Sequence, residues 1–269
     1  MKLKNITGIL FFISTALCAS SETINYNFQL SEAEKEWLGR NIFKNECDSN
    51  FECLTTWNKG EEFPSLGIGH FIWYHSEQES PFEETFPQLI EFMRANDAPV
   101  PAWLFEQRSL DSPWRSRINF YASFYDPNMI ELREFLAHHK KLQVEFIIAR
   151  FNQTLGQIVL DFPDSEKSAV EDLIQTIGSD FNPHGLYALI DYVHFKGTGL
   201  NPSERYDGHG WGLRQVINNM LEKQASLQNF VKSAEYILER RVNHAPLERS
   251  EQQWLAGWHK RLGTYLPTN

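Results

Sequence analysis

Ser31-Glu32-Ala33-Glu34-Lys35-Glu36-Trp37-Leu38-Gly39-Arg40-Asn41-Ile42-Phe43-Lys44-Asn45-Glu46 opens the stretch that decides the fold. After a loop bracketed by Cys47 and Cys53 it continues into Ser65-Leu66-Gly67-Ile68-Gly69-His70. The pattern is a helix, a glutamate at the helix exit, and a glycine-punctuated hairpin able to wall a cleft beside that carboxyl group. Ser31 and Glu34 make an S-x-x-E capping box, which starts the helix. Ala33, Trp37, Leu38, Ile42 and Phe43 recur at spacings that put them on one face. Glu46 follows Ile42 by four residues and Phe43 by three, so it falls on the apolar side. A carboxyl group there loses hydration, and the expectation is a raised pKa and a proton held ready for a leaving group. The alternative is a solvated glutamate at a frayed helix end.

The string Ser65–His70 resembles the S/T-x-G-I-G-H segment of phage-type lysozymes, glycoside hydrolase family 24. In that family a helix ends in the catalytic Glu, and a small hairpin follows with an Asp and then a Thr just before Gly-Ile-Gly-His. Glu46 matches the acid and Ser65 the Thr. A second stretch is also similar to the family: Ala188-Leu189-Ile190-Asp191-Tyr192-Val193 through Gly197-Thr198-Gly199 resembles its buried central helix and the turn after it. Gly212-Leu213-Arg214-Gln215-Val216 resembles the start of the next helix. The resemblance covers roughly residues 31–75 and 186–265. It implies a lysozyme-like fold, α+β and mainly helical, and cleavage of β-1,4-linked amino-sugar glycan with Glu46 as general acid.

The chain departs from the family at the second carboxylate. Counting back from Ser65 to the family's Asp lands on Lys59, and the loop from Glu46 to Ser65 is longer than the family's usual spacing. Glu61 and Glu62 are the nearest carboxylates, with Glu62 the closer to Ser65; strand alternation puts the two on opposite faces. Related lytic transglycosylases work with one Glu and use the sugar's own hydroxyl as nucleophile, so a missing Asp leaves glycan cleavage open.

Residues 1–19 have the form of a secretion signal: Lys2 and Lys4, an apolar run Ile9–Leu17, then small residues Ala16, Ala19 and Ser20. Leu17 before Cys18 fits poorly with lipid attachment, so cleavage after Cys18 or Ala19 and a periplasmic or secreted product are expected. No later run approaches a membrane span. Export makes Cys47 and Cys53 readable as a disulfide, which on the loop-length model adds roughly 2 kcal/mol and fixes the path out of the first helix. No His pair lies at ligand spacing from them, and no metal or other cofactor is expected.

Some 250 residues would remain, enough for a full core. The formal charge of −10, deepened by loss of Lys2 and Lys4, and the absence of a Lys/Arg stripe argue against nucleic acid as a partner. The expected partner is a polysaccharide: a cationic glycan such as chitosan suits the acidity, and so does peptidoglycan for an enzyme confined beside it.

The remaining elements are coarser. Phe71–Tyr74 reads as a strand, and residues 128–160 and 164–178 as helices, with Gly178 a candidate C-cap. Leu186–Phe195 is apolar nearly all round, as a helix at the centre of a lobe should be. His194 on it is expected to be a hydrogen-bonded core histidine. Gly197–Gly212 is either a turn plus a helix start or a substrate-facing loop. Helices follow at 210–222 and 226–242, and Ser250 with Gln253 suggests a capping box for the last. Trp57, Trp73 and Trp211 lie closest to the proposed cleft and are the candidates for sugar stacking. His70, also beside the cleft, is expected to support the hairpin. The domain reading is a lysozyme-like domain over residues 20–269 with a small β-hairpin lobe and an inserted helical region at about 76–185.

Overall fold

The computed structural model describes residues 26, 28, 30–76, 78, 83–106 and 110–267. The leader expected over residues 1–19, with Cys18, lies outside the described residues. The chain is mainly helical with two small antiparallel sheets, so the α+β class holds.

Helix α1, Glu32–Cys47, begins as its sequence dictates. The Ser31 hydroxyl accepts the Glu34 N–H, and Glu34 Oε2 accepts the Ser31 N–H at 2.7 Å, closing the capping box. The helix stops where Asp48 turns left-handed, φ 47°, and returns its N–H to Lys44. Cys47 and Cys53 are joined in a disulfide with Cα atoms 5.5 Å apart. Beyond a 3₁₀ turn, Phe51–Leu54, the chain forms a sheet of β1 (Thr55–Thr56), β2 (Ser65–Leu66) and β3 (Phe71–Ile72). Ser65 pairs with Thr56 on one side and Ile72 on the other.

Between β2 and β3 the backbone is left-handed at Gly67, φ 70°, and a β-carbon there would run into the Gln143 side chain. Gln143 is fully buried. Its Oε1 accepts the Ile68 N–H at 2.8 Å, and its Nε2 donates to the Leu136 carbonyl at 2.6 Å. One side chain thus satisfies two backbone groups and fastens the Gly-Ile-Gly turn to the helix behind it.

The helices gather around two cores. The smaller is aromatic, built from the hairpin strands, α2 (Phe86–Ala95), α3 (Arg117–Ala122) and α4 (Pro127–His138), with Trp73, Trp114 and Phe120 in edge contacts. Helix α5, Lys140–Leu160, belongs to both, giving Phe146 to the smaller and Val144, Phe151 and Leu155 to the larger. The larger core also takes α6 (Asp164–Asp180), α7 (His184–Lys196), α8 (Leu213–Met220), α9 (Leu227–His244) and α10 (Leu255–Gly263). A second hairpin, β4 (Arg205–Tyr206) and β5 (His209–Gly210), lies between α7 and α8 in sequence. Leu186 through Tyr192 of α7 are all buried, as its apolar run requires. Residues 76–185 divide between the cores: the part up to α4 packs with the hairpin, and α6 sits in the larger one.

Three local expectations are corrected. The helix over 128–160 breaks at His139, φ −106° and ψ 32°, where no Gly or Pro announces it; the His139 ring nitrogen Nδ1 lies 2.8 Å from the Phe135 carbonyl. Gly178 is not a C-cap, because α6 runs on to Asp180 and Gly178 is buried against the Phe28 ring, leaving no room for a β-carbon. Ser250 and Gln253 form no capping box. Ser250 is left-handed and Glu251–Trp254 is a 3₁₀ turn, since the buried Glu251 carboxylate is drawn to Arg241 at 2.7 and 2.8 Å and to the Tyr206 hydroxyl at 2.8 Å.

Replacing Gln143 by Leu keeps the volume and strands two buried backbone groups. Stability should fall by about 1–3 kcal/mol for each group left unsatisfied. Urea unfolding of the Gln143→Leu protein reads this, and an unchanged midpoint would refute the role given to the amide.

Candidate functional site

Four elements converge on the Glu46 carboxylate. The exit of α1 presents it, the Gly67–His70 turn brings His70, α7 brings Asp191 and His194, and α10 brings Arg261. Arg261 donates through Nη2 to Glu46 Oε1 at 2.8 Å and through Nε and Nη2 to the two Asp191 oxygens at 2.9 and 2.8 Å. The Tyr265 hydroxyl donates to Asp191 at 2.7 Å, and Asn45 Nδ2 donates to it at 3.1 Å. The other Glu46 oxygen, Oε2, faces two imidazoles, His70 Nδ1 and His194 Nε2, each at 3.5 Å.

This environment sets the charge of Glu46 opposite to expectation. Burial pushes the carboxyl up, since only 13 % of the side chain is exposed, but the His194 hydrogen bond and charge and then Arg261 outweigh it, bringing the pKa to about 2. The expectation of a raised pKa weighed the apolar helix face and omitted cations that other elements deliver. Burial lowers the His70 pKa, the Glu46 charge raises it and the His194 charge lowers it, with a net shift below the ordinary imidazole value. For His194 burial also lowers, but the Glu46 hydrogen bond, Glu46 charge and Asp191 charge prevail over Arg261, and the pKa rises. His194 therefore holds a proton more tightly than a free imidazole, beside an ionised Glu46.

The carboxylate lies on a cleft of about 340 Å³. Ile42, Phe71, Ile147, Phe151, Ile190 and Val193 make its apolar walls, and His70, Thr85, Arg150, Thr154 and His194 its polar points. Among the described residues the carboxylates lining it are Glu46 and Asp191. Both Asp191 oxygens are taken by Arg261, Tyr265 and Asn45, which leaves it a positioning group for the guanidinium.

Of the catalytic and sugar-binding candidates read from sequence, Glu46 and His70 meet at the cleft and the others do not. Ser65 is buried within β2. Glu61 turns back on its own loop, its carboxylate accepting from Asn58 at 3.1 Å and its carbonyl from the Trp57 indole at 2.8 Å. Glu62 is exposed and offers its carbonyl to Gln78. Neither glutamate lines the cleft. The three tryptophans are packing residues: Trp57 and Trp73 in the smaller core, with the Trp73 indole donating to the Leu110 carbonyl, and Trp211 in the larger under the Arg241 guanidinium at 4.0 Å. Trp211 belongs to the Gly197–Gly212 segment, no residue of which lines the cleft, and Glu204 there binds the Gly199 N–H instead.

His194 is not a core histidine: 42 % of its side chain is exposed, on the cleft wall. It and Asp191 were visible in the sequence as polar interruptions of an apolar helix. Arg261 carried no signal, being one basic residue in a last helical turn. The Cys47 and Cys53 sulfurs lie 3.4 and 3.5 Å from His70 Nε2, the one metal-type cluster among the described residues, but a disulfide offers no thiolate to a metal.

Because Glu46 titrates near 2 in the folded protein and near 4.5 when unperturbed, its ion pairs stabilise fully above about pH 4.5 and are lost as pH falls towards 2. The stability difference between the wild type and Glu46→Gln should shrink across that window, by on the order of 3 kcal/mol. Urea unfolding between pH 7 and pH 3 tests this, about 2 kcal/mol of the difference being lost by pH 3; a difference independent of pH would contradict the assignment.

No family model, curated protein or solved structure matches this chain.

Proposed function

We propose that this protein is an exported enzyme that cleaves β-1,4-linked amino-sugar glycan, with peptidoglycan the favoured substrate and Glu46 at the scissile bond. The observation that carries the reading is a sheltered glutamate at the exit of α1, on a cleft walled by the Gly67–His70 turn. The resemblance to phage-type lysozymes in those two segments points the same way. The Cys47–Cys53 disulfide suits an oxidising compartment and so a periplasmic or secreted protein. Among the described residues no helix is long and apolar enough to cross a membrane.

In this reading Glu46 acts on the glycosidic oxygen and on the positive charge that develops at the anomeric carbon. The apolar walls exclude water as a glycan enters, which strengthens each charge interaction at the carboxylate. Among the described residues the cleft offers no second carboxylate with a free lone pair, which favours attack by a sugar hydroxyl of the substrate over attack by a carboxylate-activated water. The products would then carry anhydro ends, and a hydrolase would leave reducing ends. The competing reading, a non-catalytic glycan-binding or inhibitory protein on the same scaffold, draws on the ionised, fully engaged Glu46.

Mass analysis of products from purified peptidoglycan, with chitosan as a second polymer, separates these readings. Glu46→Gln should lower cleavage by about 10²-fold or more. Glu61→Gln and Glu62→Gln should keep full turnover, since neither lines the cleft. Undiminished cleavage by a folded Glu46→Gln protein would remove Glu46 from the chemistry. Retention on the polymer with no products would establish the binding reading.

A further inference from the structure

Three groups reach the Glu46 carboxylate, and they differ in what they can do with a proton. Arg261 is held on two carboxylates and stays charged throughout. His70 presents Nδ1 to Glu46, but its Nε2 is packed against both disulfide sulfurs and only 18 % of the side chain is exposed. It is less than half as open to the cleft as His194. In His194, Nε2 stands 3.5 Å from Glu46 Oε2, and 42 % of its side chain opens to the cleft.

Resting on the glycan-cleaving reading above, we propose that His194 is a catalytic residue, the proton reservoir that Glu46 draws on and returns to. The Nε2–H bond of His194 breaks and its proton passes to Glu46 Oε2. Glu46 passes it to the glycosidic oxygen as the bond from that oxygen to the anomeric carbon breaks, and the bonding pair stays with the departing sugar's new hydroxyl. The anomeric carbon is then attacked by water or by a hydroxyl of the same sugar, forming the new carbon–oxygen bond. The proton released by that nucleophile goes to Glu46 and back to His194 Nε2, which restores the starting pair. Glu46 and His194 thus need one proton between them, and a second carboxylate is not required.

The charges around His194 favour this resting state. Glu46 from α1 and Asp191 from α7 draw the proton onto the imidazole, while Arg261 from α10 and His70 from the hairpin oppose it. The balance lies with the carboxylates, so the His194 pKa stands above the ordinary value of 6.5. A raised pKa means the imidazolium persists to higher pH than in a free histidine and is lost as pH rises through the folded value. The alkaline limb of turnover should therefore belong to His194 and lie above the ordinary histidine range.

The test is the pH profile of kcat, from about pH 4 to 9, for wild type, His194→Asn, His194→Gln and Glu46→Gln acting on purified peptidoglycan. Both His194 variants should lose on the order of 10²-fold in kcat at neutral pH with little change in KM. Their residual activity should rise towards acid pH, where solvent protonates Glu46 directly. Imidazole added to His194→Ala should restore part of the rate, which a merely structural histidine would not do. Independently of activity, an NMR titration should find the His194 ring above the ordinary imidazole pKa in wild type and lower in Glu46→Gln. Wild-type kcat and an unmoved alkaline limb in both His194 variants, with Glu46→Gln inactive, would overturn the role of His194 and leave the enzyme reading standing. Full turnover in Glu46→Gln, or no cleavage by the wild-type protein, would overturn the glycan-cleaving reading and this inference with it.

Discussion

Arg261 holds the molecule's two central carboxylates at once. Glu46 closes the first helix and Asp191 sits inside the most buried one, and burying either carboxyl group there is costly without a cation. The guanidinium supplies it from the last helix, with Nε and Nη2 spread over Asp191 and the same Nη2 donating to Glu46 as well. Three helices far apart in sequence are thereby tied at one point. What fixes the approach to the last helix is again a buried carboxylate, Glu251, clamped by Arg241 and Tyr206.

Around that tie the protein separates rigid support from open surface. The aromatic core carries the hairpin, the larger core carries the helices, and α5 runs through both. Gln143 on α5 locks the Gly67–Ile68 turn, so His70 is presented by backbone geometry that a buried side chain enforces. The disulfide then backs the His70 ring from behind. Glu46 consequently meets one fixed imidazole and one at the cleft surface, an asymmetry with chemical use. The fixed ring holds the carboxylate in place, and the open ring can trade protons with it and with whatever fills the cleft.

The same packing explains why the aromatic residues are not the sugar platform their number suggests. Trp57, Trp73 and Trp211 are consumed in the two cores, where each large ring removes far more apolar surface from water than it could as a half-exposed stacking face. The cleft is left to aliphatic walls, the Phe71 and Phe151 rings and a few polar points, a composition that keeps water sparse around the Glu46 carboxylate.

The sequence by itself determined the features whose causes are local. The Ser31–Glu34 box, the apolar stripe of α1, the Cys47–Cys53 pair, the glycine-punctuated turn before His70 and the all-apolar centre of α7 follow from residue types at short spacings, where capping, periodicity and backbone freedom decide. The burial of Gly178 and the failed cap at Ser250 were decided by neighbours remote in the chain, and the break at His139 carried no Gly or Pro to announce it. The charge of Glu46 belongs to that second class. Its helix face argued for a protonated acid, yet Arg261, more than two hundred residues away, and His194 reverse the sign because Coulomb energy depends on distance in space and on the exclusion of water. Helical period and turn chemistry are written in sequence order, whereas a pKa is written in the coordinates of every charge within reach.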